Sequence, residues 1–347
     1  MSLEKNKKGG AVFLVIVIVL ALAFAALGIL KGLGVLKFPA PSSARSERSG
    51  RNSSPVNIDI GNFKFGNFNG GAKYVANLYI TGVIQEANES YNQEWLLDTI
   101  EDLEEDEDNV GILLVIDSPG GTVYEADEVY LALRKYKNAG KQIWAYFKSM
   151  AASGGYYIAC AADTIYANRN TMTGSIGVII GPTIDATVLL DKIGIKATSF
   201  ASGKNKGMLN YNEPLTDEQA KIMQSVVDET YEQFVSIVSQ GRKKSIKEVK
   251  ALADGRIYTA NQAKEKGLID SVGTLENAED RMREKLGIVL NLSGDDLEKI
   301  KFYDYEYIYD PPLMKRFFDA VAGDSVKKAL DRTFGPDIKY PAYLFRY

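Results

Sequence analysis

Ser153 stands in the run Ser149-Met150-Ala151-Ala152-Ser153-Gly154-Gly155-Tyr156-Tyr157-Ile158-Ala159, where small residues and glycines join a strand-like stretch to a helical one. That placement puts a hydroxyl at or near a helix N-terminus, where unpaired backbone N–H groups and the positive dipole end favour a developing negative charge. A plain N-cap with glycines for close packing would look the same, so this stretch alone leaves both readings open. A second glycine turn, Gly120-Gly121 in Asp117-Ser118-Pro119-Gly120-Gly121, follows the apolar run 110–116. Ligand sites of α/β folds lie at such strand ends. A glycine backbone there can lie beside an extended peptide and supply an oxyanion donor, although a tight turn explains it equally well.

The base that would serve such a serine cannot be imidazole, because the chain has no histidine. Ser-His-Asp triads, Cys-His dyads and His-ligated zinc or haem are therefore excluded. The single cysteine, Cys160, also rules out an internal disulfide or a four-cysteine zinc site. Acid-base chemistry is left to Lys, Asp, Glu, Tyr or a metal on oxygen ligands. A lysine can act once burial lowers its pKa from about 10.4. Lys204 and Lys206 occupy the Gly-bounded loop 200–207 (FASGKNKG), which could equally be a surface turn. Its Ser-Gly-Lys lacks the glycine spacing of a phosphate loop. Two S-x-x-K matches, Ser2 to Lys5 and Ser325 to Lys328, lie outside any glycine turn and read as chance. The acidic run 101–108 (EDLEEDED) reads as a solvated helix end rather than a metal site, and no cofactor or metal is expected.

The elements that must position these groups alternate along the chain. Strands are expected at 74–84, 110–116, 142–147, 164–167 and 177–180, and helices at 94–105, 124–139, 151–161 and 216–241, the last capped by Thr216 with Glu218 nearby. Run 110–116 (VGILLVI) is continuously apolar, as in a strand buried on both faces. Repeated β-β-α and β-α units predict an α/β domain with a largely parallel sheet. After about residue 294 the chain becomes rich in aromatics and is expected to pack on the body or on a neighbouring subunit.

Of the 347 residues, 46% are apolar or aromatic and 25% charged, as in folded proteins. The net charge of −4 is uneven, since residues 1–51 hold eight basic and two acidic side chains and the remainder carries a net of −10. An acidic body argues against nucleic acid as a partner. Residues 11–30 (AVFLVIVIVLALAFAALGIL) contain no charge, and as a helix they would span roughly 30 Å, a bilayer core. They read as an uncleaved single-pass anchor in the cell membrane, longer than the apolar core of a signal peptide. A cytoplasmic head (1–10), the anchor (11–30), a Ser/Pro/Arg-rich stalk (31–55), a catalytic domain (56–295) outside the cytoplasm and an aromatic-rich extension (296–347) complete the expected organisation. The positive-inside count is close to a tie, and the short head favours an internal N-terminus.

The strand ending in DSPGG, SMAASGGYYIA, TGSIGVI at 173–179, SGKNKG at 202–207 and DGRIYTANQAKEKGLIDSVG at 254–273 occur in an order that resembles the signal peptide peptidase A (protease IV) family over about residues 73–290. The resemblance implies a single-repeat, membrane-anchored Ser-Lys peptidase with the α/β fold of Clp protease subunits and crotonases. It implies Ser153 as nucleophile and Lys206, last in its loop, as general base, with Lys204 the runner-up. Ser175 would orient the base, and the backbone N–H groups of Gly154 and of one glycine of the Gly120-Gly121 pair would hold the oxyanion. Gly207 departs from the family pattern, in which an acidic or hydroxyl residue is frequent. Signal-peptide remnants and other unfolded or hydrophobic peptides are the implied substrates. Double-length relatives take serine and lysine from different repeats, so a one-repeat chain is expected to join Ser153 and Lys206 across subunits of a cyclic homo-oligomer. The terminal PAYLFRY would suit a groove as a product-like tail. A related Ser-Lys membrane protease with one protein target, a crotonase-like thioester site and a catalytically silent membrane scaffold are the alternatives.

Overall fold

The computed structural model describes residues 73–309, which contain one eight-stranded sheet with helices against both faces. Its strands are β1 (Tyr74–Thr81), β2 (Asn109–Ser118), β3 (Gln142–Ala152), β4 (Thr164–Ala167), β5 (Met172–Gly174), β6 (Ile257–Thr259), β7 (Ser271–Val272) and β8 (Lys301–Tyr305). The order is β6-β5-β3-β2-β1-β8, with β4 bonded to β3 and β7. Every pairing is parallel except β5 with β6.

Pleating explains why 110–116 had to be apolar throughout. Ile112, Leu114 and Ile116 point into the larger core, while Leu113 and Val115 point into the smaller one on the opposite face. In β3, Ile143, Ala145 and Phe147 face the larger core and Trp144 and Tyr146 the smaller. Helix α1 (Gln93–Glu105) closes the larger core with Leu96, Ile100 and Leu103, a spacing that lines one helical face. Truncating such a fully buried leucine to alanine costs about 2–5 kcal/mol. Helix α2 (Val123–Asn138) adds Ala126, Val129, Tyr130 and Leu133 to the same face.

The helix expected over 151–161 is shorter in the structure. Ala151 and Ala152 still belong to β3, where they pair with Thr173 and Gly174, and helix α3 is only Gly154–Ala159. The expected strand at 177–180 has no ladder partner among the described residues, and β5 is the preceding Met172–Gly174. Helix α4 (Thr187–Lys192) buries no residue. Helix α5 (Asp217–Arg242) is capped by Thr216, but the capping-box partner is Gln219, while Glu218 pairs with Lys204. Helices α6 (Ile246–Lys250) and α7 (Ala260–Glu265) come next, then α8 (Leu275–Leu290), whose Ala278, Met282 and Leu286 cover the smaller core, and α9 (Asp295–Glu298).

The aromatic run after 294 does pack on the body, since β8 pairs with β1 and Tyr303 meets the Tyr74 ring edge-on. The anchor at 11–30, the stalk and the residues beyond 309 lie outside the described residues. Among the described residues no helix is long and apolar enough to cross a membrane.

Candidate active site

The backbone around Ser153 is strained and accounted for bond by bond. Parallel pairing of Ala152 with Gly174 carries β3 to its end, and the Ser153 N–H donates to the Gly174 carbonyl at 2.9 Å. The chain then turns with Ser153 at φ 51° and ψ −119°, a conformation disfavoured for a residue with a Cβ. Its hydroxyl makes no capping hydrogen bond to helix α3. The N-cap explanation left open by the sequence is thereby removed. The side chain is half-buried.

The Gly120-Gly121 turn abuts this serine. Gly120 has φ 97°, and a Cβ there would come within 2.7 Å of both the Gly154 nitrogen and the Ser153 Cβ. A Cβ on Gly121 would come within 1.8 Å of the Ile84 carbonyl oxygen. Neither position admits a side chain. The fully buried Ser118 accepts the Gly120 N–H on its hydroxyl at 3.1 Å, a local turn in which a serine satisfies the N–H two residues on. Gly120 is thus spent within its own turn. Among the described residues the N–H groups of Gly121 and Gly154 have no acceptor, and a Cβ built on Gly154 would lie 3.3 Å from the Gly121 nitrogen. Two unpaired donors therefore stand together beside Ser153. Helix α3 has only six residues, so these individual N–H groups rather than a long helix dipole are what the turn offers.

Ser175 follows Gly174 directly, has φ 48°, and donates its N–H to the Arg256 carbonyl at 2.8 Å. Arg256 in turn grips Asp254, whose carboxyl its guanidinium holds down at about 2. Ser175 is brought to the end of the ladder that carries Ser153. Helix α3 is fixed from behind, where the Tyr157 hydroxyl donates to Asp127 at 2.6 Å and accepts from Gln233 at 2.9 Å. Burial, then the Asp127 bond, pushes the Tyr157 phenol well up, so it remains a donor at any working pH.

The lysines are placed differently. Lys204 is exposed and ion-paired with Glu218 at 2.8 Å. Lys206 is also exposed, and its ammonium has no partner among the described residues. No hydrogen bond joins Ser153 to either lysine within one chain. The segment that leads to them, 177–203, carries exposed apolar side chains, including Ile184, Val188, Leu189, Ile193, Ile195 and Phe200, the last 96% accessible. Sequence reasoning missed the Ser118 hydroxyl, although serine two residues before a glycine is a signal for such a turn. Among the described residues no group of acidic or cysteine side chains could hold a metal ion.

The profile of Peptidase family S49 matches residues 135–289, a stretch that contains Ser153, Ser175, Lys204 and Lys206. A protein of Synechocystis sp. named "Putative protease slr0021" is 36% identical over 265 residues, covering 76% of this chain and 88% of the relative. The chain belongs to peptidase family S49. Membership places it among serine peptidases. The Enterococcus faecium protein named "Putative signal peptide peptidase SppA" is 39% identical over 220 residues, or 61% of this chain and 64% of that one. "Protease 4" of Salmonella typhi is 29% identical over 213 residues, 61% of this chain but only 32% of the relative. This S49 chain therefore spans less than two thirds of several relatives it matches.

Proposed function

We propose that the chain is a Ser-Lys endopeptidase of the Clp protease and crotonase fold, anchored in the membrane by residues 11–30, which degrades cleaved signal peptides and other unfolded or hydrophobic peptides. The observation that carries this reading is the Ser153 turn, where a hydroxyl released from helix capping lies against two unpaired backbone donors. Ser153 attacks the scissile carbonyl, and the oxyanion is held by the N–H groups of Gly121 and Gly154. Gly120, named with them from the sequence, serves by letting the turn approach Ser153 so closely. Lys206 takes the serine proton as general base and returns it to the leaving amine. Ser175 orients that amine. Water then releases the acyl-enzyme.

Lys206 reaches Ser153 from a neighbouring copy in a homo-oligomer. Support comes from the exposed, unpaired Lys206 and the exposed apolar side chains of the same segment, of the kind that marks protein contacts. The ion pair of Lys204 with Glu218 favours Lys206 over Lys204. Hydrolysis of fluorogenic apolar peptides by the full chain, together with fluorophosphonate labelling, tests the assignment. Labelling at Ser153 and loss of hydrolysis in Ser153→Ala and Lys206→Ala, with Lys204→Ala active, is the expected result. Unimpaired hydrolysis by Ser153→Ala would overturn it.

A further inference from the structure

We infer that Asp117 is a positioning residue for Ser153, acting through the hydrogen bonds that its carboxylate accepts from the bulge in β3; the inference rests on the peptidase reading above. Between β2 and β3 the register runs Ile116 opposite Phe147 and then Ser118 opposite Ala151. One residue of β2, Asp117, thus faces three of β3, namely Lys148, Ser149 and Met150. The two extra residues fall where β3 changes neighbours, since Trp144–Phe147 pair with β4 while Met150–Ala152 pair with β5. Bulges of this kind bend a strand and re-aim the side chains beyond the bend. Ser153 comes three residues after Met150.

A bulge removes backbone groups from the ladder, and those groups need other partners. On the β2 side Asp117 supplies them, with Oδ1 accepting the Ser149 hydroxyl and the Met150 N–H at 3.1 Å. On the β5 side the fully buried Thr171 lies 3.0 Å from the Phe147 carbonyl oxygen and 2.5 Å from that of Lys148, and Thr173 donates to the Ala151 carbonyl at 2.6 Å. Asp117 is therefore the acceptor that fixes the donor side of the bend. Among the described residues no basic side chain pairs with it, and the neighbouring Lys148 ammonium lies over the Tyr79 ring, 5.9 Å from its centre. Acceptor geometry rather than charge is the property used. An asparagine in place of Asp117 keeps an oxygen in the same position, whereas alanine leaves the Met150 N–H without an acceptor and lets the bulge relax. A shift of about 1 Å at the nucleophile can cost about 100-fold in turnover.

The test compares the full-length chain with Asp117→Ala and Asp117→Asn, measuring kcat and KM on a fluorogenic peptide, the rate of fluorophosphonate labelling at Ser153, and thermal stability. Asp117→Ala is expected to lower kcat and labelling rate together by about 100-fold with little change in KM, and Asp117→Asn to restore most of both. Wild-type turnover in Asp117→Ala, or an Asn variant as impaired as the Ala variant, would overturn the inference. A loss of thermal stability in Asp117→Ala with kcat unchanged would also overturn it, because the residue would then only support the fold. Should Asp117→Ala fail to accumulate as folded protein, Ser149→Ala removes one of the two bonds; a partial fall in kcat at constant KM supports the inference and wild-type kcat overturns it. Absence of labelling at Ser153 in the wild type would instead sink the peptidase reading itself.

Discussion

The Ser153 turn and the segment 177–216 are built in opposite ways. Around Ser153, β3, the Gly120-Gly121 turn and helix α3 are locked by the Gly174, Ser118 and Tyr157 hydrogen bonds and by contacts too close to admit a side chain. Segment 177–216 has one short helix, α4, that buries nothing, and a row of exposed aliphatic side chains ending near Phe200. One chain builds the Ser153 turn and the two unpaired backbone donors beside it by itself. The segment that carries Lys204 and Lys206 receives no such cover from its own chain.

That contrast can be broken at the turn first. Ser153→Ala should abolish peptide hydrolysis, a fall of about 10⁴-fold or more, while leaving thermal stability near wild type; retained turnover in a steady-state assay would remove Ser153 from the mechanism. Gly120→Ala comes next, because its Cβ would meet the Gly154 nitrogen at 2.7 Å in a backbone at φ 97°. Displacing an oxyanion donor costs about 3–4 kcal/mol of barrier, so kcat in the same assay should fall by about 10²–10³-fold. Wild-type kcat would mean that the turn has no part in charge stabilisation.

On the exposed side the effect should fall on assembly rather than folding. Ile184→Ser with Phe200→Ser should reduce oligomer mass in sedimentation and lower activity with it, while the unfolding free energy of the chain moves by only about 0.5 kcal/mol, as for surface changes generally. An unchanged oligomer would show that this face is not the contact. The smallest effect is expected at the start of β1. Partial burial pushes the Asp106 carboxyl up, but the Tyr74 hydroxyl at 2.6 Å, backbone donors and Lys141 outweigh it and hold the carboxyl below its usual value of 3.8. A depressed carboxyl contributes stability above its unfolded pKa and loses it as pH falls through the folded one. Tyr74→Phe should therefore flatten the acid limb of a stability-pH curve below about pH 4 and leave the neutral region nearly unchanged.

Much of the scaffold was legible because its signals were local. The apolar run 110–116, the helical spacing of Leu96, Ile100 and Leu103, and Thr216 as a cap each derive from neighbours in sequence. The helix expected at 151–161 began too early because Ala151 and Ala152 suit either state, and pairing with Thr173 and Gly174, more than twenty residues away, decides for strand. The run 177–180 (GVII) suits a strand locally, yet a strand also needs a neighbour, and none of the described residues supplies one. Within the site, the local run around Ser153 offered the glycine-rich serine turn, the absence of histidine left Lys, Asp, Glu, Tyr or a metal as base, and a lysine was implied by the family resemblance. Which glycine keeps its N–H free depended on the Ser118 hydroxyl, and which lysine is unpaired depended on Glu218, both of which are facts of folded geometry.

In the proposed mechanism one copy supplies Ser153 and another supplies Lys206. Mixing full-length Ser153→Ala and Lys206→Ala chains, each inactive alone, and assaying peptide hydrolysis in assemblies shown by differential tags to contain both, tests it most directly. Activity should return, because some interfaces then pair an intact serine with an intact lysine. Demonstrated mixed assemblies that remain as inactive as either parent would contradict it.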